Sequence, residues 1–215
     1  IRNRLFYCGV FNSYELSIHV MSVGNITAGG NGKTPLVGAV VNLLKDSGFN
    51  PAILTRGYKG QEKGPYLVKS SDTATLVGDE ALLLSKAMTV PVVVSRLRAE
   101  GAKLIEREKL GDVIVLDDGF QHRWLARRLD IVTQDVSNPR IVDDFINSKV
   151  LPLGLMREGL TDAIARTDLV VLSHRGPRIN QDAVSKVRAK LSSSLIFESW
   201  MGDFTVCDVN GSLLK

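Results

Sequence analysis

The most informative part of this chain is residues 23–34, which run Val23-Gly24-Asn25-Ile26-Thr27-Ala28-Gly29-Gly30-Asn31-Gly32-Lys33-Thr34. An apolar, strand-like segment precedes it at 17–23, and apolar residues three and four apart predict a helix at 34–47. A glycine-rich turn between a strand and a helix is typical of a phosphate-binding loop, because backbone N–H groups and the helix N-terminus face anionic oxygens. The segment therefore predicts a nucleotide-binding loop.

The side chains of this loop suggest individual roles. Lys33 is predicted to neutralise the β- and γ-phosphates, and the Thr34 hydroxyl to ligate Mg²⁺. A strict Walker A motif has glycine five residues before Gly32, where this chain has Thr27. The alternative is a surface turn with an incidental Lys-Thr pair, which the strand before and the helix after disfavour. The nucleotide-binding candidates are Thr27, Ala28, Gly29, Gly30, Asn31, Gly32, Lys33 and Thr34.

The rest of the chain alternates strand-like and helix-like segments. Apolar runs lie at 52–54, 92–95, 113–116, 131–132, 169–172 and 194–197, and helices are predicted at 79–88, 97–109 and 181–191. This alternation predicts an α/β fold of the P-loop NTPase type, with a mostly parallel sheet and helices on both faces. We assign 1–200 to this P-loop kinase domain. In 201–215, Asn210-Gly211 after a short apolar run predicts the start of a hairpin or linker to a truncated C-terminal lobe.

Composition excludes several classes of protein. The chain has 215 residues, 44% of them apolar, and 27 Lys and Arg against 23 Asp and Glu, which excludes a disordered chain. Because the basic residues are dispersed among acidic ones, we expect no nucleic-acid partner. Two cysteines and three histidines exclude a disulfide scaffold and leave little for a Cys/His metal cluster. No apolar run approaches the roughly eighteen residues of a membrane-spanning helix.

Acidic residues follow the most apolar strand. Val113-Ile-Val-Leu-Asp117-Asp118 ends in two carboxylates, and a carboxylate at the end of a strand next to a phosphate loop is a typical Mg²⁺ ligand. Asp117 and Asp118 are therefore the metal candidates together with Thr34, and an ordinary Asp-Asp-Gly turn is the alternative.

Further polar candidates follow other predicted strands or begin helices. Asp79 and Glu80 start a predicted helix, so Asp79 is either a helix cap or a general base for a substrate hydroxyl. Arg56 follows a short strand, and Arg96 and Arg98 follow another. These arginines are either solvated loop residues or contacts for phosphoryl charge.

Five segments in order resemble the lipid A 4′-kinase (tetraacyldisaccharide 4′-kinase) family. They are Ser22–Pro35, Ile53–Tyr58, Val77–Glu80, Leu116–His122 and Leu151–Glu158. The departure at Thr27 is typical of that family, and the resemblance spans nearly the whole chain.

The resemblance implies transfer of the ATP γ-phosphoryl group to the 4′-hydroxyl of a tetraacyldisaccharide 1-phosphate, with Mg²⁺, in lipid A (lipopolysaccharide) biosynthesis. It implies a lipid disaccharide substrate and a location on the cytoplasmic face of the bacterial inner membrane, with an organellar homologue left open. It also implies a further Asp-His-His stretch in a C-terminal lobe, which this sequence lacks, so we expect nucleotide binding without full activity. The implied roles are Asp79 as base beside Glu80, Lys33 and Thr34 for ATP and metal, Asp117 and Asp118 for Mg²⁺, Arg56 and Arg98 for phosphate or lipid head group, and His122 for substrate.

Other functions stay open from the residues alone. A switch or partitioning ATPase of the deviant Walker A type would act through dimerisation and partner binding, but its signature lysine is replaced here by Ala28. A P-loop kinase for a soluble metabolite is a second alternative; a closed polar pocket would favour it, and an apolar groove would favour a lipid. The basic and aromatic residues of 1–11 predict either a docking helix or contact with an anionic membrane, which a segment upstream of Ile1 would reinforce.

Overall fold

One eight-stranded sheet forms the centre of the computed structural model, which describes residues 5, 6, 8–29, 32–175, 180–191 and 195–200. Its strands are β1 (His19–Asn25), β2 (Pro51–Thr55), β3 (Tyr66–Leu67), β4 (Val92–Val94), β5 (Val113–Asp117), β6 (Leu129–Asp135), β7 (Leu169–His174) and β8 (Leu195–Trp200). Their spatial order is β3-β4-β2-β5-β1-β6-β7-β8. Neighbours pair in parallel throughout, except that β3 runs antiparallel to β4. The predicted, mostly parallel sheet is confirmed.

Helices cover both faces of this sheet. They are α1 (Lys33–Asp46), α2 (Ala74–Val77), α3 (Asp79–Ala87), α4 (Arg98–Arg107), α5 (Pro139–Ile146), α6 (Leu160–Ile164) and α7 (Gln181–Lys190). Because successive strand residues face opposite sides, Val115 of β5 packs with α1 and α3, whereas Ile114 and Leu116 pack with α4. On the side of Ile114, α5, α6 and α7 cover β6 and β7. All five residues of β5 are buried, as expected for a strand covered on both faces.

The strand order brings the two main sequence motifs together. β5 is the direct neighbour of β1, and Val23 is paired with Asp117. The loop after β1 and the two aspartates at the end of β5 therefore lie at the same carboxyl edge of the sheet, where ligands bind in open α/β sheets.

The structure adds elements to the predicted set. β3 and the short helices α2, α5 and α6 had not been predicted; β3 has two residues, too few for a periodic signal. Helix α5 begins after Asn138, whose side chain accepts hydrogen bonds from the N–H groups of Arg140 and Ile141. β6 extends well beyond the predicted 131–132, and Leu160, expected in a loop, begins α6. The predicted hairpin at 204–211 lies outside the described residues, so the proposed boundary at residue 200 stays a prediction.

Candidate active site

In its second half, the loop after β1 adopts backbone conformations that favour glycine. Gly32 is the N-cap of α1 with φ of 73°, and Gly29 has φ of 118°. Both values lie in the left-handed region, where a side chain is strained. A Cβ at Gly32 would also lie 2.9 Å from Ser173 Oγ, because the loop touches the end of β7. Gly30 and Asn31, two of the predicted nucleotide-binding residues, lie outside the described residues.

The first half of the loop is held by the segment 150–157. Thr27 forms an antiparallel bridge with Met156, the Ala28 N–H donates to Leu155 O (2.6 Å), and the Arg157 N–H donates to Ile26 O (2.8 Å). Thr27 is buried and its φ is negative, so glycine is not required there. The departure from the strict Walker A motif thus has a local cause: this part of the loop is strand-like.

Asp117 is a buried carboxylate at the end of β5. It is 3% exposed, and Thr55 Oγ1 donates a hydrogen bond to its Oδ2 at 3.0 Å. Burial, reinforced by the negative charges of Glu80 and Asp118, raises the pKa of Asp117 to about 6 from 3.8, whereas the Thr55 hydrogen bond and the Lys33 charge oppose this rise. The protein therefore leaves the Asp117 charge incompletely compensated.

Asp118 is the partly exposed neighbour that meets the basic groups. Lys33 Nζ lies 3.6 Å from its Oδ1, and Arg157 Nη1 lies 3.1 and 3.2 Å from its two carboxylate oxygens. Arg157 also donates to Gln121 Oε1 at 3.2 Å, and Gln121 donates to Asn25 O at 2.8 Å. Asp118 has φ of 49°, an uncommon conformation for a residue with a side chain, and such strain often occurs at functional sites.

The acidic pair and Thr34 fit a magnesium ion. Among the described residues, no group of three or more His, Cys, Asp or Glu residues could hold a metal ion. Mg²⁺ does not need such a group, because it is usually bound by one or two carboxylates, waters and the phosphates of its substrate. The buried and undercompensated Asp117 is the observation that fits a cation, and the hydroxyl of Thr34, in the first turn of α1, adds an oxygen donor.

A cavity of about 290 Å³ opens beside Asp118, and arginines dominate its lining. It is lined by Arg56, Arg96, Arg98, Asp118, Gln121, His122 and Arg157. Its lining is polar and charged, whereas an apolar groove was the feature that would favour a lipid acceptor. The predicted substrate residues Arg56, Arg98 and His122 therefore meet in one cavity.

Arg98 is buried in this cavity with one donor unused. It is 4% exposed, and its Nη1 donates to Ser95 O at 3.3 Å, while its Nε has no hydrogen-bond partner among the described residues. Burial and the nearby positive charge of Arg56 lower the pKa of Arg98 to about 10. Because a buried, unpaired cation is costly, this arrangement favours an anionic ligand.

Asp79 and Glu80 lie exposed in the first turn of α3. Gly78 is the N-cap of this helix and no side chain caps it, so Asp79 does not act as the predicted cap through a hydrogen bond. Glu80 acts electrostatically on Asp117, which places it near the end of β5.

Sequence reasoning assigned no role to three residues of this site. Thr55, Gln121 and Arg157 contact the acidic pair or the loop. All three lie in segments that carry the family resemblance. Their position in those segments was the only signal from which the sequence could have indicated a role for them.

An aromatic cluster lies at the amino end. Phe6 packs edge-on against Phe11 (5.4 Å between centroids) and Trp124 (5.0 Å), and the Arg123 guanidinium lies 4.8 Å from the Phe6 ring centre. Residues 5 and 6 are helical, whereas residues 1–4 and 7 lie outside the described residues. In the described part of the chain, no helix has the length and apolar character needed to cross a bilayer.

Comparisons with known proteins match this chain to one family. The model of the family described as Tetraacyldisaccharide-1-P 4′-kinase matches residues 1–204. The tetraacyldisaccharide 4′-kinase of Chlorobaculum parvum is 44% identical over 191 residues, which cover 85% of this chain and 50% of that protein. The chain spans about half the length of the curated relatives it matches.

One solved structure agrees with this match, and a second shares the fold. LpxK from Aquifex aeolicus, crystallised in complex with ATP, superposes with a TM-score of 0.76 at 34% identity, covering 96% of this chain and 61% of that one. The signal recognition particle receptor FtsY from Elizabethkingia anophelis has a TM-score of 0.51 at 13% identity, covering 94% of this chain and 64% of that one, which shows the fold alone.

Proposed function

Because this chain belongs to the tetraacyldisaccharide-1-P 4′-kinase family, we propose that it carries the ATP-binding and catalytic half of a lipid A biosynthesis kinase. The reaction is transfer of the γ-phosphoryl group of ATP to the 4′-hydroxyl of a tetraacyldisaccharide 1-phosphate. The observation that carries the proposal is the meeting of Lys33, the acidic pair and an arginine-lined cavity at one edge of the sheet.

The loop residues bind the triphosphate. The backbone N–H groups of the second half of the loop and of the start of α1 bind the phosphates, since the Ala28 N–H already donates to Leu155 O. Lys33 exchanges its contact with Asp118 for phosphate oxygens. Thr34, Asp117 and Asp118 would hold Mg²⁺, which would neutralise negative charge on the phosphates. Arg157, freed from Asp118 in the same exchange, supplies a further positive charge on the same side.

The acceptor approaches from the arginine-lined cavity. Arg56, Arg98 and His122 contact phosphate or the head group of the disaccharide, and the buried Arg98 Nε gains the acceptor atom it lacks among the described residues. Asp79 accepts the proton of the attacking hydroxyl, with Glu80 beside it. Phosphoryl transfer depends mainly on alignment and charge neutralisation, so a single positioned carboxylate is sufficient to act as the general base.

A lipid substrate requires access to a bilayer. We place the protein at the cytoplasmic face of the bacterial inner membrane, bound peripherally or through a segment upstream of Ile1. The cluster of Phe6, Phe11 and Trp124 with Arg123 supports this placement, because aromatic rings and cations favour the interface of an anionic membrane.

The decisive experiment incubates the full-length protein with ATP labelled in the γ-phosphate, Mg²⁺ and a tetraacyldisaccharide 1-phosphate. We expect a labelled bis-phosphorylated lipid with wild type and none with Lys33→Met. Label on a soluble phosphorylated sugar in a parallel reaction, with none on the lipid, would indicate the metabolite kinase. ATP hydrolysis with nucleotide-dependent dimerisation and no labelled acceptor would indicate a switch ATPase.

A further inference from the structure

A buried arginine outside the arginine-lined cavity joins two segments of the candidate site. Arg166 follows helix α6, and its side chain is 9% exposed. All three of its guanidinium nitrogens have partners: Nε donates to Asp162 O at 3.3 Å, Nη1 donates to Phe120 O at 3.2 Å, and Nη2 forms an ion pair with Glu158. Arg166 does not line the cavity beside Asp118. None of the roles derived above uses it.

The first of the two segments is the turn 118–122, which follows β5. The Arg166 guanidinium lies 4.3 Å from the ring centre of Phe120, so it holds both the ring and the carbonyl of this fully buried residue. On its other side Phe120 packs against β1, where a Cβ on Gly24 would lie only 2.6 Å from Phe120 Cβ. Asp118, with φ of 49°, lies two residues before Phe120. Because such a backbone conformation persists only where the surroundings impose it, the fixed position of Phe120 supports that of Asp118.

The second segment reaches Arg166 through Glu158. The Glu158 side chain is 9% exposed; its Oε2 pairs with Arg166, and its Oε1 accepts a hydrogen bond from Gln121 Nε2 at 3.3 Å. Gln121 Oε1 accepts in turn from Arg157 Nη1, which also contacts the Asp118 carboxylate. This series of contacts therefore runs from Arg166 to the ion pair of Arg157 and Asp118. Removing one partner of a buried ion pair leaves the other charge uncompensated, so Glu158 depends on Arg166 for its position.

The phosphate-binding loop is held in a different way. Backbone hydrogen bonds and a strand-like bridge join it to the segment 150–157. None of these bonds involves the side chain of Arg166. Loss of Arg166 should therefore disturb the side chains of Asp118 and Arg157 more than it disturbs the loop.

We propose that Arg166 is a positioning residue for phosphoryl transfer, which orients Asp118 and Arg157 through Phe120 and Glu158. The proposal rests on the proposed kinase function and adds to it a residue that touches neither nucleotide nor acceptor. Phosphoryl transfer depends on alignment of charged groups, so a small displacement of these groups lowers turnover. Binding of ATP by the loop continues, because the backbone contacts of the loop remain.

The first test separates turnover from ATP binding in the full-length protein. Phosphorylation of a tetraacyldisaccharide 1-phosphate gives kcat and the KM for ATP of wild type, Arg166→Met and Arg166→Lys. We expect Arg166→Met to lower kcat about 10- to 100-fold and to change the KM for ATP by less than about threefold. Arg166→Lys keeps a charge for Glu158 and loses the fixed fork of donors, so it should recover part of the lost kcat.

Two control variants separate positioning from a general loss of stability. Arg107→Met breaks an exposed ion pair with Glu108 at the end of α4 and should retain the wild-type kcat. Ile105→Ala removes a fully buried side chain from the core beneath the same helix, so it lowers the free energy of unfolding without a change at the site. Urea unfolding identifies a temperature at which every variant is folded, and kcat is compared there. A kcat of Arg166→Met equal to that of Ile105→Ala would overturn the proposal.

A double variant covers the case in which Arg166→Met does not fold because Glu158 is left charged and unpaired. Arg166→Met combined with Glu158→Gln removes both charges of the buried pair. We expect its kcat to stay about tenfold or more below that of wild type, because the contacts of Arg166 with Phe120 are still lost. A wild-type kcat in the double variant would show that Arg166 serves only to neutralise Glu158, and would overturn the positioning role.

Hydrogen–deuterium exchange gives a readout that does not depend on activity. In Arg166→Lys we expect exchange about three- to tenfold faster in 118–122 and 157–159, and unchanged exchange in β2, because the loosening is local. Unchanged exchange in both segments, or equally faster exchange in β2, would overturn the inference. Wild-type protein that phosphorylates no lipid would refute the proposed function and with it the role in transfer, whereas the exchange rates would still show whether Arg166 orders both segments.

Discussion

Neutralising the buried carboxylate of Asp117 should stabilise this protein above neutral pH and not in acid. In Asp117→Asn the amide oxygen can still accept the hydrogen bond of Thr55, but no charge is buried. The folded-state pKa of Asp117 is about 6 against an ordinary value of 3.8, and its side chain is almost fully buried. Two pKa units at about 1.4 kcal/mol each bound the stabilisation at about 3 kcal/mol above pH 7.

The sign of this effect follows from proton binding. Because the pKa is raised on folding, the folded protein holds this proton more tightly than the unfolded chain does. The contribution of Asp117 to stability is therefore fully present below pH 3.8 and is lost as the pH rises through about 6. Of the stabilisation expected for Asp117→Asn relative to wild type, about 1 kcal/mol develops between pH 5 and pH 8, a range in which urea unfolding is measurable.

The assay is urea unfolding followed by circular dichroism in metal-free buffer at pH 5, 6.5 and 8. We expect the free energy of unfolding of Asp117→Asn to exceed that of wild type, and the excess to grow with pH. Glu15→Gln, which removes an exposed carboxylate, should show no growing difference. Addition of Mg²⁺ with ATP should stabilise wild type more than Asp117→Asn, because a ligand of the folded state stabilises it by mass action and the variant lacks one carboxylate proposed to hold the metal. An excess that shrinks from pH 5 to pH 8 would refute the argument from burial.

Three further predictions test other parts of the site. Lys33→Met should weaken binding of ATP and of tripolyphosphate about 10- to 100-fold, measured by calorimetry, because a charge-assisted contact is lost; unchanged affinity would exclude Lys33 from the phosphate site. In the full-length protein, Asp79→Ala should lower kcat about 100-fold or more with ATP affinity retained, since a general base is removed; normal turnover at saturating ATP would contradict the base. Gly24→Ala should cost about 1–3 kcal/mol in urea unfolding, because its Cβ would lie 2.6 Å from Phe120 Cβ. Gly159→Ala, with no atom within 4 Å of the added Cβ, is the matched control, and equal stability of the two variants would refute that contact.

The sequence predicted the central elements because their signals are local. Strand β5 is an uninterrupted apolar run, and α1 follows a glycine-rich turn with regularly spaced apolar residues. Shorter elements carry less information, and β3 and α2, with two and four residues, have no period to detect. α5 was detectable in principle, because Asn138-Pro139 combines an N-cap residue with proline at the first helical position.

The residues of the candidate site could be predicted where they belong to a sequence motif that itself indicates the local backbone structure. The glycine pattern specifies a phosphate loop, and the two aspartates specify the end of a strand, so Lys33, Asp117 and Asp118 could be named from their neighbours in sequence. Arg157 could not be given a role in this way. It reaches Asp118 because the segment 150–157 pairs with the loop through Thr27 and Met156, and that pairing is a tertiary contact without a local signature.

The two adjacent aspartates have different surroundings, and this difference suits the metal and nucleotide site proposed for them. Asp117 is buried, so its negative charge costs stability in the free protein, and such a cost is usually found where function requires it. Asp118 is partly exposed and neutralised by Lys33 and Arg157, so both cations are held near the loop before any ligand arrives. If this edge of the sheet binds nucleotide as proposed, an incoming triphosphate would compete with Asp118 for these cations, and its metal ion would compensate the charge of Asp117. Binding of nucleotide and metal should therefore be mutually favourable at this edge of the sheet, because each relieves the charge imbalance that the other would leave.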